Sequence, residues 1–305
     1  MSPLVNAQPS GPGADQNRSG DLQVAIGSPP ARQGFVDTHA HIQGEEFSQD
    51  TDAVIGRALE ASVEHIVVPG VDLASVRTAI ALAENHPCLW AAAGYHPHEA
   101  SGLDAAALAQ IEALLGHPKV VAVGEVGLDY YYEHSPRDAQ RRCLEQMLAL
   151  AERHRLPIIV HCRDAWEDTA AALEPWARRV RDAFAGRPVG VMHYFSGTLA
   201  QARFYIDLGF VISVHTSVTH KKQAPLRETL SQVPLDALVI ETDSPYGAPQ
   251  AYRGKRNEPS YVVEAAREIA AAQGVSLETV MVTTSANAAR LFGLPVAART
   301  GGGSR

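Results

Sequence analysis

Cysteine is scarce in this chain. Cys88, Cys143 and Cys162 are its only three, without metal-knuckle spacing, and such usage fits a reduced compartment. No apolar run approaches the roughly 18 residues needed to cross a bilayer. The first residues have neither the basic n-region nor the apolar h-region of a secretory signal. A cytoplasmic protein with no membrane association is expected. Positive charge is also in deficit: 26 Lys and Arg stand against 34 Asp and Glu, for a net charge of −8 and a pI near 5.9. Global attraction to nucleic acid is therefore excluded. A polyanionic substrate would need bound cations and a local basic patch.

What is present is an ordinary globular composition, 46% hydrophobic and 20% charged, over 305 residues. That length suits one α/β barrel as a single domain. Residues 1–33 are rich in Pro, Gly, Ser, Gln and Asn and hold no aromatic residue, so they are expected to form a disordered extension. The end of the chain, 295–305, reads as a flexible tail. The domain is expected over 34–294.

Within it, short apolar runs alternate with helical patterns. The expected strands are 34–38, 65–69, 89–94, 119–125, 157–162, 189–194, 209–214 and 237–242. Helices are expected over 53–61, 75–83, 105–114, 136–154, 165–173, 199–208, 223–230, 259–272 and 277–292. Eight such alternations predict a parallel sheet, most simply a (β/α)8 TIM barrel, with a doubly wound open sheet as the alternative. No Gly-x-Gly-x-x-Gly follows the first strand, which speaks against a dinucleotide fold.

A (β/α)8 barrel collects its functional residues at the carboxyl ends of its strands, and the sequence can be checked against that rule. The first strand ends in Asp37-Thr38-His39-Ala40-His41, whose two histidines at i and i+2 share one face of an extended segment. The third ends in Gly94-Tyr95-His96-Pro97-His98 and the fourth in Gly124-Glu125-Val126-Gly127-Leu128-Asp129. The fifth ends in His161-Cys162-Arg163-Asp164, the sixth in His193-Tyr194-Phe195-Ser196-Gly197 and the eighth in Glu241-Thr242-Asp243-Ser244-Pro245-Tyr246. Chance would scatter these ligand-type residues through helices and loops.

His39, His41, His161 and His193 with Glu125 and Asp243 suit a pair of divalent ions. Imidazole favours Zn2+, Mn2+ or Ni2+, and carboxylates also accept Mg2+. Glu125, on a central strand, is the natural bridge, giving one oxygen to each ion; no lysine stands there to serve by carbamylation. Asp243 is a candidate ligand and proton acceptor, with a helix N-cap as its competing reading. His96 is placed as a contact to phosphate or to water at the metals, Asp129 as an orienting residue, and His98 as structural. Arg163 is expected in the loop layer as a phosphate ligand. Arg253, Lys255 and Arg256 follow the eighth strand and are candidate phosphate contacts in an otherwise acidic chain. Asn257 reads as the start of a helix, and Trp90, Trp166 and Trp176 as packing in the helix layer.

These six strand ends, together with Tyr252-Arg253-Gly254-Lys255-Arg256-Asn257-Glu258-Pro259, resemble the TatD family of metal-dependent deoxyribonucleases. The resemblance runs from about Gly34 to Leu294. It implies a (β/α)8 metallohydrolase of the amidohydrolase superfamily, with metal ligands at His39, His41, Glu125, His161, His193 and Asp243. Tyr194 departs from the family pattern, where a smaller residue is common, and His215 on the seventh strand is unusual. The leading reading is a phosphodiesterase acting on DNA, single-stranded or at 3′ ends, with two divalent ions (Mg2+, Mn2+ or Zn2+) and Asp243 taking a proton from the attacking water. The alternatives are ester or amide hydrolysis, as in release of aminoacyl groups from tRNA, and a metal-dependent nucleic-acid-binding module. No obligate protein partner is evident.

Overall fold

The computed structural model describes residues 34–295; the expected extension over 1–33 and all but the first residue of the expected tail lie outside the described residues. Eight strands appear in the expected order: β1 (Phe35–Asp37), β2 (Val63–Pro69), β3 (Leu89–Ala93), β4 (Val120–Asp129), β5 (Ile158–Arg163), β6 (Gly190–Met192), β7 (Phe210–His215) and β8 (Leu238–Glu241). Neighbours pair in parallel from β1 through β8. The ring closes where the Thr38 N–H donates to the Ile240 carbonyl and the Asp243 N–H to the His39 carbonyl. Asp37 reinforces this seam, its carboxylate accepting the backbone N–H and hydroxyl of Thr242 at 3.0 and 2.6 Å.

The helices are α1 (Thr51–Glu60), α2 (Leu73–Asn85), α3 (Ala105–Leu114), α4 (Arg137–His154), α5 (Trp166–Val180), α6 (Leu199–Asp207), α7 (Ala224–Leu230), α8 (Val262–Gln273) and α9 (Leu277–Phe292). Among the described residues no helix is long and apolar enough to cross a membrane. Buried aliphatic side chains on the inner face, such as Val36, Val67, Ile159, Val191, Val211 and Val239, fill the barrel. Each fully buried side chain of this size contributes about 1.5–3 kcal/mol. Ala288, Leu291 and Phe292 of α9 join that cluster. Ser285 and Asn287 bond the backbone at Gly34 and Leu238, so α9 closes the amino-terminal end. The opposite end stays open for the site.

Most element ends shift by one to three residues, and two elements run well past their expected ends. The helix expected to stop at Leu173 runs through Pro175 to Val180. Proline forfeits one helical hydrogen bond, but Trp176, Ala177 and Val180 are buried beyond it, and Trp176 donates its indole N–H to the Leu148 carbonyl. Tertiary packing outweighs the local signal. Strand β4 continues past Glu125 to Asp129, because Gly127, Leu128 and Asp129 pair with His161, Cys162 and Arg163. Gly127 is required there: at φ +149° it lies so close to β5 that a Cβ would collide with the His161 carbonyl oxygen. Trp166 packs on Phe195 and Tyr205, in the helix layer as expected.

Candidate metal centre

The carboxyl ends of β1, β5, β6 and β8, with the middle of β4, bring His39, His41, Glu125, His161, His193 and Asp243 into one cluster. Glu125 is at its centre. Its Oε2 lies 3.2 Å from His39 Nε2 and 3.5 Å from His41 Nε2. Its Oε1 lies 2.9 Å from His161 Nδ1, 3.5 Å from His96 Nε2 and 3.6 Å from His193 Nε2. Asp243 Oδ1 faces His39, His41 and His193 at 3.6, 3.5 and 3.9 Å. The His39 and His41 Nε2 atoms are 3.1 Å apart.

Donors bound tetrahedrally at about 2.05 Å lie ~3.3 Å from one another, close to the spacing around His39, His41, Glu125 and Asp243. Imidazole and carboxylate donors without thiolate suit divalent ions of the Zn2+, Mn2+ or Mg2+ kind. Among the described residues none bonds Nδ1 of the fully buried His39; burial, and then the nearby His193, hold this imidazole in the neutral form that can bind a metal. The residues present fit such ions.

Several neighbours orient the donors, as metal sites require. Asp129 Oδ2 accepts from His161 Nε2 at 3.1 Å and His98 Nε2 at 2.9 Å, leaving His161 Nδ1 toward Glu125. Gln140 of α4 holds Asp129 in turn, accepting its N–H and donating to its carbonyl. His98, expected to be structural, therefore supports the orienting carboxylate. Glu241 does the same for His193. Its Oε1 is 2.9 Å from His193 Nδ1, off the line of a good hydrogen bond, and accepts the Tyr194 N–H at 2.6 Å. Sequence alone gives Glu241 no role. Its signal was the two-residue spacing from Asp243 at the same strand end.

His96 joins the cluster but turns its protonated nitrogen inward. Its Nδ1 accepts the His98 N–H at 3.1 Å, so in the neutral ring the proton is on Nε2, toward Glu125 and His161. Burial pushes this imidazole down to about 4, which keeps it neutral. His96 is a donor aimed into the site.

His215 obeys the same logic outside the cluster. Its Nδ1 accepts the Ser217 N–H and its Nε2–H donates to the Thr242 carbonyl, while Tyr194 stacks on it at 3.8 Å. The two unusual residues thus pack on each other and brace the loop carrying Asp243. Burial pushes His215 from the usual 6.5 to about 4. An unfolded chain takes up this proton near pH 6.5 and the fold only near pH 4, so stability falls with pH across that window. Between pH 7 and pH 5 this residue alone is expected to cost about 2 kcal/mol. Urea unfolding of His215→Asn at both pH values should show a loss smaller by that amount; an unchanged loss refutes the assignment.

No helix begins at Asp243. The next helical turn among the described residues is Gln250–Tyr252, so the N-cap reading has no helix to cap. Its φ of +51° is one that aspartate tolerates better than most residues.

The basic run is outside the cluster and divides in two. Arg256 is tied down: its terminal nitrogens bond both Asp50 oxygens at 2.8 and 2.7 Å, and its guanidinium lies 4.4 Å over the Phe47 ring. Arg253 and Lys255 are exposed. Asn257, expected merely to start a helix, is fully buried and donates to the Thr242 and Tyr246 carbonyls at 2.7 Å each. Arg163 is exposed and stacks 4.1 and 4.7 Å over the Tyr131 and Tyr132 rings.

A closed parallel barrel with histidines and carboxylates gathered at its strand ends defines a metal-dependent hydrolase. A family model described as TatD related DNase matches residues 36–293, and the chain belongs to that family. It is 40% identical to the uncharacterized metal-dependent hydrolase YabD of Bacillus subtilis, over 84% of this chain and 98% of the relative. It is 32% identical to the 3′-5′ ssDNA/RNA exonuclease TatD of Klebsiella pneumoniae, over 85% and 98%. The crystal structure of YJJV, a TatD homologue from Escherichia coli K12, is similar with a TM-score of 0.79 at 31% identity, covering 86% of this chain and 98% of that one. A TatD family hydrolase from Entamoeba histolytica shares the fold, with a TM-score of 0.76 at 23% identity over 86% and 99% of the two chains.

Proposed function

We propose that this enzyme is a phosphodiesterase that removes nucleotides from the 3′ end of single-stranded DNA, with residues 34–294 as its catalytic unit and the cytoplasm as its compartment. The observation that carries the reading is Glu125, whose two oxygens face two different sets of histidines. That arrangement suits two divalent ions, Mg2+, Mn2+ or Zn2+, with Glu125 between them. His39, His41 and Asp243 would hold one ion, and His161 and His193 the other. Bound there, the ions would polarise the phosphate and stabilise both the attacking and the leaving oxygen.

The chain's own groups supply the rest. The neighbouring histidines hold Asp243 well below the usual carboxylate range against the effect of burial, so it is ionised and can accept the proton of the attacking water. The Nε2–H of His96 faces the reacting region and is suited to a phosphate oxygen. Asp129 and Glu241 keep His161 and His193 oriented. Arg253 and Lys255 supply exposed positive charge beyond β8. The Klebsiella pneumoniae relative, named as a 3′-5′ ssDNA/RNA exonuclease, supports this substrate class.

The test is hydrolysis of a 5′-labelled single strand by chelator-treated protein, with and without added Mg2+ or Mn2+. A ladder shortening from the 3′ end, dependent on metal, is expected. With Arg253→Ala and Lys255→Ala together, KM should rise and its salt dependence flatten by about two phosphate contacts. Turnover of acyl esters or aminoacyl-tRNA with an intact oligonucleotide would replace this reading with the ester or amide alternative.

A further inference from the structure

Exposed aromatic surface is concentrated at the catalytic mouth. Among the described residues the exposed large hydrophobic side chains are Leu59, Tyr131, Tyr132, Tyr246 and Val275. The three aromatic ones all follow strand ends that carry the metal cluster. Tyr131 and Tyr132, 59% and 51% exposed, come directly after β4, and Tyr246, 58% exposed, comes after β8. In a closed ring of eight, β4 and β8 are four strands apart, on opposite sides.

Leaving two tyrosine rings half in water forgoes the benefit of burying them, and nothing in the core requires them there. Yet they are held in place. Asp129 Oδ1 accepts the N–H of Tyr131 and of Tyr132 at 3.0 and 2.9 Å, while its Oδ2 accepts from His161. One carboxylate thus ties the tyrosine pair to the candidate metal donors. The rings meet edge to face at 4.8 Å. The Arg163 guanidinium lies against both, and Tyr132 also stacks on His134 at 5.5 Å.

We infer that Tyr131, Tyr132 and Arg163 form a stacking platform for a nucleobase of single-stranded nucleic acid, holding the strand beside the metal centre. Two partly exposed aromatic rings set edge to face, with a guanidinium against them, offer a flat ring face that suits a base of any sequence. A duplex keeps its bases stacked on one another and offers none to such a platform. Arg163, expected as a phosphate ligand, thereby acts through its flat face on bases. The inference rests on the phosphodiesterase reading for its substrate class, and its test is independent of turnover.

The experiment is fluorescence anisotropy of the metal-loaded full chain with a labelled, hydrolysis-resistant phosphorothioate strand of deoxythymidines. Stacking is worth about 1–3 kcal/mol per base, so Tyr131→Ala with Tyr132→Ala should weaken binding by about tenfold or more. The corresponding pair of phenylalanine variants should bind within about twofold of the parent. A strand with abasic residues at its two 3′ positions should bind the parent about tenfold more weakly and be insensitive to the alanine pair. Unchanged affinity in the alanine variant, an equal loss on the abasic strand, or no binding by the parent overturns the platform. Turnover of an ordinary strand is measured in parallel. Tyrosine-dependent binding without turnover refutes the phosphodiesterase reading alone, and turnover with tyrosine-independent binding refutes the platform alone.

Discussion

Asp243→Asn is expected to lower kcat by about 10²–10⁴-fold, the usual contribution of a positioned general base, while the protein keeps most of its metal. Asparagine retains the size and one oxygen donor but loses the charge and nearly all the basicity. It also accepts the positive φ of +51° at this position, so the backbone need not move and the loss reads chemistry. Replacement by alanine would confound the two. The proposed role in proton transfer rests on its place at the edge of the cluster, 3.5–3.9 Å from three imidazole nitrogens and still partly open to solvent. Metal content by atomic spectroscopy and kcat on one preparation decide the matter. A variant with near-parental kcat and full metal content removes Asp243 from the role of base.

Glu125→Ala should do the opposite, losing metal first and activity as a consequence. Glu125 is 2% exposed and surrounded by His39, His41, His96, His161 and His193. The buried imidazoles hold it ionised, far below the usual glutamate range, despite the burial that opposes the charge. Glu125→Ala removes a donor outright, so metal affinity is expected to fall by more than the ~10–100-fold typical for loss of a residue that only supports a metal ligand. Both proposed ions should leave together, since the two oxygens serve different histidine sets. Titration of the chelated protein with Zn2+ or Mn2+, followed by calorimetry, measures this directly. Loss of one ion with retention of the other at parental affinity would exclude a bridging role.

The sequence by itself determined the alternation of strands and helices, and with it which ends of the strands would meet. Apolar runs of four to eight residues bounded by turn chemistry, and helices with 3.6-residue periodicity, are local signals. A barrel then converts position along each strand into position at one mouth. His39, His41, Glu125, His161, His193 and Asp243 were legible for that reason. Local signals misjudged two element ends: Pro175 did not stop α5, and β4 did not end at Glu125, because packing and pairing with distant residues were worth more than the local preference.

Only the tertiary structure decided which polar residues serve which. Glu241 reaches His193 across 48 positions of sequence, and Asp129 reaches His98 and His161 on two different strand ends. Arg256 spends its charge on Asp50, 206 positions away, and Asn257 disappears into the loop after β8. His96 and His215, alike as isolated histidines, were given their tautomers by single backbone N–H groups from His98 and Ser217. Side-chain hydrogen bonds between distant segments have no period and no local signature. They exist only once closure of the ring brings donor and acceptor atoms of separate strands within about 3 Å of one another, so the candidate ligands, with Asp129 as an orienting residue, could be read from the chain, and the support from His98, Gln140 and Glu241 could not.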